Sequence, residues 1–135
     1  MRLLFYAPLK PPDHEVPSGD RRMAQLLIAA LTGAGHEVEL AARLRSYDGA
    51  GDSQRQARLG AIGGRLAARL IARLRGRPLS QRPSAFVTYH LYHKAPDWIG
   101  PRVATALAIP YIVIEASVAN KRAGGPWSLG HEATL

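Results

Sequence analysis

The chain has no cysteine and no long hydrophobic run, and each absence excludes a class of protein. Without cysteine there is no disulfide framework and no thiolate site, which fits a reducing compartment. No apolar stretch approaches the roughly 20 residues of a membrane-spanning helix. The apolar run before Pro8 is too short for the core of a signal peptide. The sequence therefore predicts a cytoplasmic protein without a transmembrane segment.

Acidic residues are also scarce. The 18 Lys and Arg residues outnumber the 10 Asp and Glu residues, which gives a net charge of +8, and no acidic residue lies between Asp52 and Asp97. A field of one sign attracts anions, including nucleic acid, phosphorylated sugars and anionic lipid headgroups. Charge alone does not choose between these partners.

Strand and helix patterns alternate along the whole chain. Its 135 residues, 47% of them hydrophobic, predict a single domain covering 1–135 with one core. Ser18 and Asp20 are good N-cap types for the first helix, and Asp97 is the predicted N-cap of the third. The predicted strands are 2–7, 36–42, 84–90 and 111–115, and the predicted helices are 18–34, 53–76, 98–107 and 126–135.

This alternation predicts a doubly wound α/β fold. We expect a Rossmann-like parallel sheet with strand order 3-2-1-4, helices on both faces and right-handed crossovers. The fourth strand is apolar at consecutive positions, which is typical of a strand covered on both faces. Ligands of such folds bind at the carboxyl ends of the strands. We therefore expect a set of polar residues to converge at that edge: Ser18, Gly19, His90, His93 and Glu115.

The start of the first helix is one candidate site. Gly19 would let phosphate oxygens approach the backbone N–H groups there, where the helix dipole favours anions. The alternative is a glycine that only ends a loop. Arg21 and Arg22 follow in the first turn, where the dipole disfavours cations, and this favours an anionic ligand nearby.

The segment after the third strand is the second candidate site. His90 and His93, with Tyr92 and Lys94, are candidates for contacting a substrate or handling a proton. A metal site would need a third ligand, and none is evident, so we predict no metal. Glu115, at the end of the fourth strand, is the carboxylate we expect to be functional. Its alternative role is an ion pair with Lys121 or Arg122, in the loop that follows.

The helix at 53–76 carries an apolar stripe and an arginine stripe. One interpretation is a crossover helix that packs its leucines on the sheet and leaves its arginines in solvent. Another is a basic amphipathic surface that lies on anionic lipid, and a nucleic-acid surface is the least favoured. The apolar positions are Leu59, Ile62, Leu66, Leu70 and Leu74, and the basic ones are Arg55, Arg58, Arg65, Arg69 and Arg73.

Several segments together resemble the N-terminal domain of GT-B glycosyltransferases, the retaining group that includes sucrose- and lipopolysaccharide-sugar transferases. The resemblance covers nearly the whole chain but only the front portion of that family. Relatives place a histidine at the end of the fourth strand, where this chain has Glu115 and Ser117. The segments that carry the resemblance are 17–23, 35–40, 89–101, 109–117 and 121–127.

The resemblance implies transfer of a glycosyl group from a nucleotide-sugar to a polysaccharide or glycolipid acceptor. It implies no cofactor, since the nucleotide-sugar is a co-substrate held by a C-terminal domain that this chain lacks. We therefore expect an apparently truncated domain that transfers no sugar alone and associates through its apolar fourth strand. The implied catalytic residues are Glu115 and His93, and the implied substrate-binding residues are Ser18, Gly19, Asp20, Arg21, His90, Tyr92, Lys94, Ser117, Lys121 and Arg122.

A different hypothesis is a noncatalytic basic α/β module that binds anionic membrane or nucleic acid. It rests on the net charge of +8 and on the arginine helix. In the transferase hypothesis the same helix would hold the protein against the inner face of the membrane.

Overall fold

A computed structural model describes residues 1–116, which form four strands, three α-helices and one short 3-10 helix. The predicted elements in this range are confirmed, with bounds that differ by a few residues. The last predicted helix, at 126–135, lies outside the described residues. In chain order the elements are β1 (Arg2–Tyr6), α1 (Gly19–Gly33), β2 (Glu37–Leu40), α2 (Ser53–Arg75), the 3-10 turn Leu79–Gln81, β3 (Ala85–Leu91), α3 (Gly100–Leu107) and β4 (Tyr111–Ala116).

The sheet is parallel throughout, and its strand order is β2-β1-β3-β4. The Rossmann-like α/β class is confirmed, but the predicted order 3-2-1-4 is wrong because β3 pairs with β1 instead of β2. Strand burial explains the difference. Four of the five β1 residues and six of the seven β3 residues are buried, which suits central strands, whereas β2 alternates Glu37 and Glu39 with Val38 and Leu40 and suits an edge.

Helices cover both faces of the sheet. On one face, Ala24 and its neighbours on α1 pack against Phe5, Val87 and Tyr89. On the other face, α2 and α3 together pack against Leu4, Tyr6 and Phe86. From β1 the chain adds β2 on one side of the sheet and then β3 on the other side. The carboxyl ends of β1 and β3 therefore flank the point where the strand order reverses.

Helix α2 packs its leucines inward. Asp52 caps its N-terminus by accepting hydrogen bonds from the amides of Gln54 and Arg55. The glycines in its first half allow close packing. A Cβ on Gly63 would lie 2.5 Å from the Cβ of Trp98, so this position has no room for a side chain.

A buried carboxylate joins β3, β4 and the start of α3. Asp97 is 2% exposed, and its Oδ2 accepts hydrogen bonds from Thr88 Oγ1 (2.7 Å) and the Tyr111 hydroxyl (2.6 Å). Its Oδ1 accepts from the amides of Ile99 (2.9 Å) and Gly100 (2.7 Å). The prediction of Asp97 as the N-cap is wrong, because α3 begins at Gly100 and its N-cap is Ile99, although Asp97 accepts hydrogen bonds from the first amides of this turn. We call Asp97, Thr88 and Tyr111 the Asp97 cluster.

Strand β4 lies at an edge of the sheet that the structure describes. It pairs with β3, none of its residues is fully buried, and Ile112 is 44% exposed. The expectation of a strand covered on both faces is therefore wrong within residues 1–116. Here α3 contacts β4 on one face, and on the other face Ile114 is only partly buried and Ile112 is exposed. No helix among the described residues is long and apolar enough to cross a membrane.

Candidate functional site at the carboxyl edge of the sheet

The N-terminus of α1 lies at the carboxyl edge of the sheet. Ser18 is the N-cap, and its Oγ accepts a hydrogen bond from the amide of Arg21 at 3.1 Å. The cap is thus Ser18 and not Asp20, which falls in the first turn. A Cβ on Gly19 would meet nothing within 4 Å, so the backbone at this turn is open to a ligand.

The ends of β3 and β4 carry two residues in the left-handed backbone region. His90 has φ 62° and Glu115 has φ 63°. Tyr89 pairs with Ile114 and Leu91 with Ala116, so the two left-handed residues occupy matching positions on neighbouring strands. A residue with a Cβ pays about 1–2 kcal/mol for this conformation. Such strain persists only where the surroundings impose it, and it concentrates at functional sites.

Three polar side chains meet at this point. His90 Nδ1 lies 2.7 Å from Asp20 Oδ1, which is a short hydrogen bond between α1 and β3. His90 Nε2 lies 3.8 Å from Glu115 Oε1, too far for a hydrogen bond. The side chains of Asp20 and His90 are 35% and 22% exposed, and that of Glu115 is 59% exposed. We call these three residues the Asp20 cluster.

Aromatic side chains surround the histidine. The Tyr92 ring lies 5.1 Å from the His90 ring, and the Tyr89 ring lies 5.7 Å from it, centroid to centroid. Burial, followed by the charges of Glu115 and Asp20, raises the pKa of Tyr89 to about 12. Burial is also the largest cause that raises the pKa of Tyr92. The phenols therefore stay protonated and can donate hydrogen bonds at neutral pH.

The structure thus brings His90 and Glu115 together with Asp20, which follows Ser18 and Gly19 at the start of α1. Of the expected set Ser18, Gly19, His90, His93 and Glu115, His93 is connected to this group only through Tyr92, and Asp20 was not in that set. Asp20 is hydrogen-bonded to His90, which lies 70 positions away, and no local sequence pattern predicts this pairing. A functional role for these residues stays a prediction.

The other predicted site residues have mixed placements. His93 packs the edge of its ring against Tyr92, at 5.4 Å, and so lies one ring further from Asp20 than His90 does. Lys94 lies in the same turn, and its backbone carbonyl accepts a hydrogen bond from the amide of Asp48. Arg21 is half-buried, and its Nε has no hydrogen-bond partner among the described residues. The predicted residues Ser117, Lys121 and Arg122 lie outside the described residues, as does the alternative ion pair of Glu115.

The arginine stripe of α2 is exposed, whereas the apolar stripe beside it is turned toward the core. Leu59, Leu70 and Leu74 are buried against the sheet, whereas the five predicted arginines are exposed. Arg73 pairs with Glu39 at 3.3 Å. The crossover-helix interpretation is therefore correct for the leucines, and the apolar stripe needed for insertion into lipid is not on the surface. The exposed residues of α2 are mainly arginine and alanine.

Neither a metal-binding arrangement of side chains nor a known relative identifies a ligand for this site. Within residues 1–116, no group of three or more His, Cys, Asp or Glu side chains has an arrangement that could hold a metal ion. Comparisons with protein-family models, curated proteins and solved structures found no match to this chain.

Proposed function

We propose that this chain is the acceptor-side domain of a cytoplasmic glycosyltransferase that uses a nucleotide-sugar donor. The observation that carries the proposal is the hydrogen-bonded Asp20–His90 pair beside Glu115, at the point where the strand order reverses. Ligands of doubly wound folds bind in this crevice. The resemblance of the sequence to GT-B transferases supports the same conclusion.

The pair suits the chemistry of an acceptor hydroxyl. Asp20 fixes the orientation of the imidazole through Nδ1, which leaves His90 Nε2 directed away from Asp20 and able to take a proton from a hydroxyl. The acceptor oxygen then bonds to the anomeric carbon of the donor sugar. The bond from that carbon to the phosphate oxygen breaks, and the nucleoside diphosphate leaves with the electron pair. Glu115 holds the hydroxyl or its neighbour, and the nucleotide-sugar is a substrate and not a bound cofactor.

This assignment changes the expected catalytic pair. His93 was expected beside Glu115, but His90 is the histidine that contacts Asp20 and faces Glu115. We propose His90 as the proton acceptor and His93 as a residue that supports Tyr92.

A glycan array tests the proposal. The labelled 135-residue chain is applied to immobilised saccharides and to heparin and duplex DNA as polyanion controls. We expect a defined set of saccharides to bind the wild type and to lose binding in His90→Ala, but not in His36→Ala, which removes a histidine next to the amino end of β2. Binding to the polyanions alone would contradict the proposal.

The basic-module hypothesis remains the second candidate, supported by the exposed arginines of α2. Its contacts would be electrostatic, since the leucines of α2 are buried. Arg65 and Arg69 are the clearest test because no described acidic side chain pairs with either of them. The double variant Arg65→Gln/Arg69→Gln should reduce binding to anionic vesicles and leave saccharide binding unchanged.

A further inference from the structure

The Asp20 cluster has a gap that a ligand group would fill. His90 Nε2 and Glu115 Oε1 are 3.8 Å apart, so they face each other without a hydrogen bond between them. His90 Nδ1 is already bonded to Asp20. An atom placed beside this gap can hydrogen-bond both Nε2 and Oε1.

Hydroxyl groups can satisfy this pair in either protonation state of the histidine. When Nε2 is unprotonated, both atoms accept, and two adjacent hydroxyls can each donate one hydrogen bond. When Nε2 is protonated, a single hydroxyl accepts from it and donates to Glu115. An ammonium group fits only the first state, and a phosphate or carboxylate oxygen can accept from Nε2 in the second state but leaves Glu115 Oε1 without a donor.

The local charge opposes anions even though the protein carries +8. Two carboxylates, Asp20 and Glu115, flank the imidazole. Their charges add to burial in raising the pKa of Tyr89. Within residues 1–116, the charge of Arg45 acts in the opposite direction on the pKa of the neighbouring Tyr92, as the smallest of its causes. An anionic ligand would therefore meet repulsion from both carboxylates, in contrast to the anion expected from the arginines of α1.

The surroundings suit a sugar ring. The Tyr92 ring packs at 5.1 Å from the His90 ring and is partly exposed, so its face is available to the C–H groups of a ligand. Aromatic faces carry negative charge density and attract such polarised groups. Within residues 1–116, the Glu115 side chain is exposed and the backbone at Gly19 is open, so a ligand can reach the Asp20 cluster.

We propose that the Asp20 cluster binds two adjacent hydroxyl groups of an uncharged saccharide and discriminates against carboxylated and phosphorylated ones. This inference rests on the function proposed above and names its substrate class. It places the acceptor, and not the phosphates of the donor, at the start of α1.

Saturation-transfer NMR with matched monosaccharides tests the inference on the full chain. The probes are the methyl glycosides of glucose, galactose and mannose, followed by glucuronic acid, glucose 6-phosphate and glucosamine. We expect at least one neutral glycoside to bind, and its uronate and phosphate counterparts to bind about tenfold more weakly, which corresponds to about 1.4 kcal/mol, because each carries a charge that the nearby carboxylates repel.

Two variants locate the contact. Glu115→Gln should lower the affinity for the neutral glycoside about fivefold. It should also reduce the ratio of that affinity to the affinity for the uronate, because the amide removes the repelling charge. Glu37→Gln, at an exposed carboxylate on β2 paired with Arg2, should change neither value.

The binding results distinguish failure of this inference from failure of the proposed function. Equal or tighter binding of the uronate, the phosphate or glucosamine at this cluster would overturn the inference and leave saccharide binding in place. Binding of neutral glycosides that Glu115→Gln does not affect would overturn it as well. Failure of every saccharide to bind would contradict the proposed function itself.

Discussion

Two carboxylate clusters serve the same small sheet, and they differ in how completely their hydrogen bonds are made. Asp97 is buried and accepts four hydrogen bonds from Thr88, Tyr111 and two backbone amides. The Asp20 cluster is partly exposed, has a 3.8 Å gap and includes two left-handed residues. A buried polar group with all its partners stabilises the fold, whereas an incomplete and strained group is more useful to a ligand.

The sharpest test of this contrast is removal of each carboxylate. Asp97→Ala leaves two buried hydroxyls and two amides without their acceptor, and we expect it to lower the free energy of unfolding by about 3 kcal/mol or more. Urea denaturation followed by circular dichroism measures the loss. Asp20→Ala is the matched control and should cost about 1 kcal/mol, because its partner is reachable by water. Equal losses at the two positions would show that the clusters do not differ in this way.

The second test concerns the strain. Glu115→Gly relieves a left-handed backbone and removes a mostly exposed side chain, so we expect the unfolding free energy to rise by about 1 kcal/mol while saccharide binding is lost. Ala108→Gly, at the left-handed C-cap of α3, is the control and should stabilise by a similar amount without affecting binding. If Glu115→Gly destabilises the fold, Glu115 has a structural role and the comparison fails.

The smallest effect is expected at a third carboxylate, which lies outside both clusters. Two hydrogen bonds from Arg77, at 2.9 and 3.0 Å, are the main reason that the pKa of Glu39 is lowered. A lowered pKa in the folded state stabilises the fold above the unfolded pKa, and this contribution is lost as the pH falls through the folded pKa.

For Glu39→Gln we expect a loss of less than about 1 kcal/mol at pH 7, since the pair is at the surface. The difference from the wild type should shrink as the pH falls below the ordinary glutamate range. Urea denaturation at a series of pH values between neutral and acidic conditions measures it. A difference that grows on acidification would contradict the assignment.

The sequence predicted the elements well, because each helix and strand has a local cause. Ser18 is a cap residue at the predicted place, and the leucines of α2 repeat with helical spacing. The strand order was missed even though the glutamates of β2 indicated an edge strand. The predicted order 3-2-1-4 followed from the alternation of strands and helices, which does not determine which strands lie at the edges, whereas the burial pattern does.

The candidate site was predictable only in part. The carboxyl edge and most of its residues follow from topology, since parallel strands end on the same side. The Asp20–His90 hydrogen bond joins residues 70 positions apart, and the left-handed backbone at His90 and Glu115 occurs at residues that are not glycine. Neither feature has a local sequence pattern. The sequence suggested Asp97 only as an N-cap, a position that Ile99 occupies, and its contacts with Thr88 and Tyr111 depend on tertiary packing.

The central claim is that the gap between His90 and Glu115 is where the ligand binds, and the ring nitrogens of His90 report on it directly. We would follow the imidazole ¹⁵N signals of all five histidines while titrating the chain with the neutral methyl glycoside that binds best. The account predicts a saturable shift of the His90 Nε2 signal with the other histidines nearly unchanged. A ligand that saturates the protein while the His90 signals stay in place would contradict it.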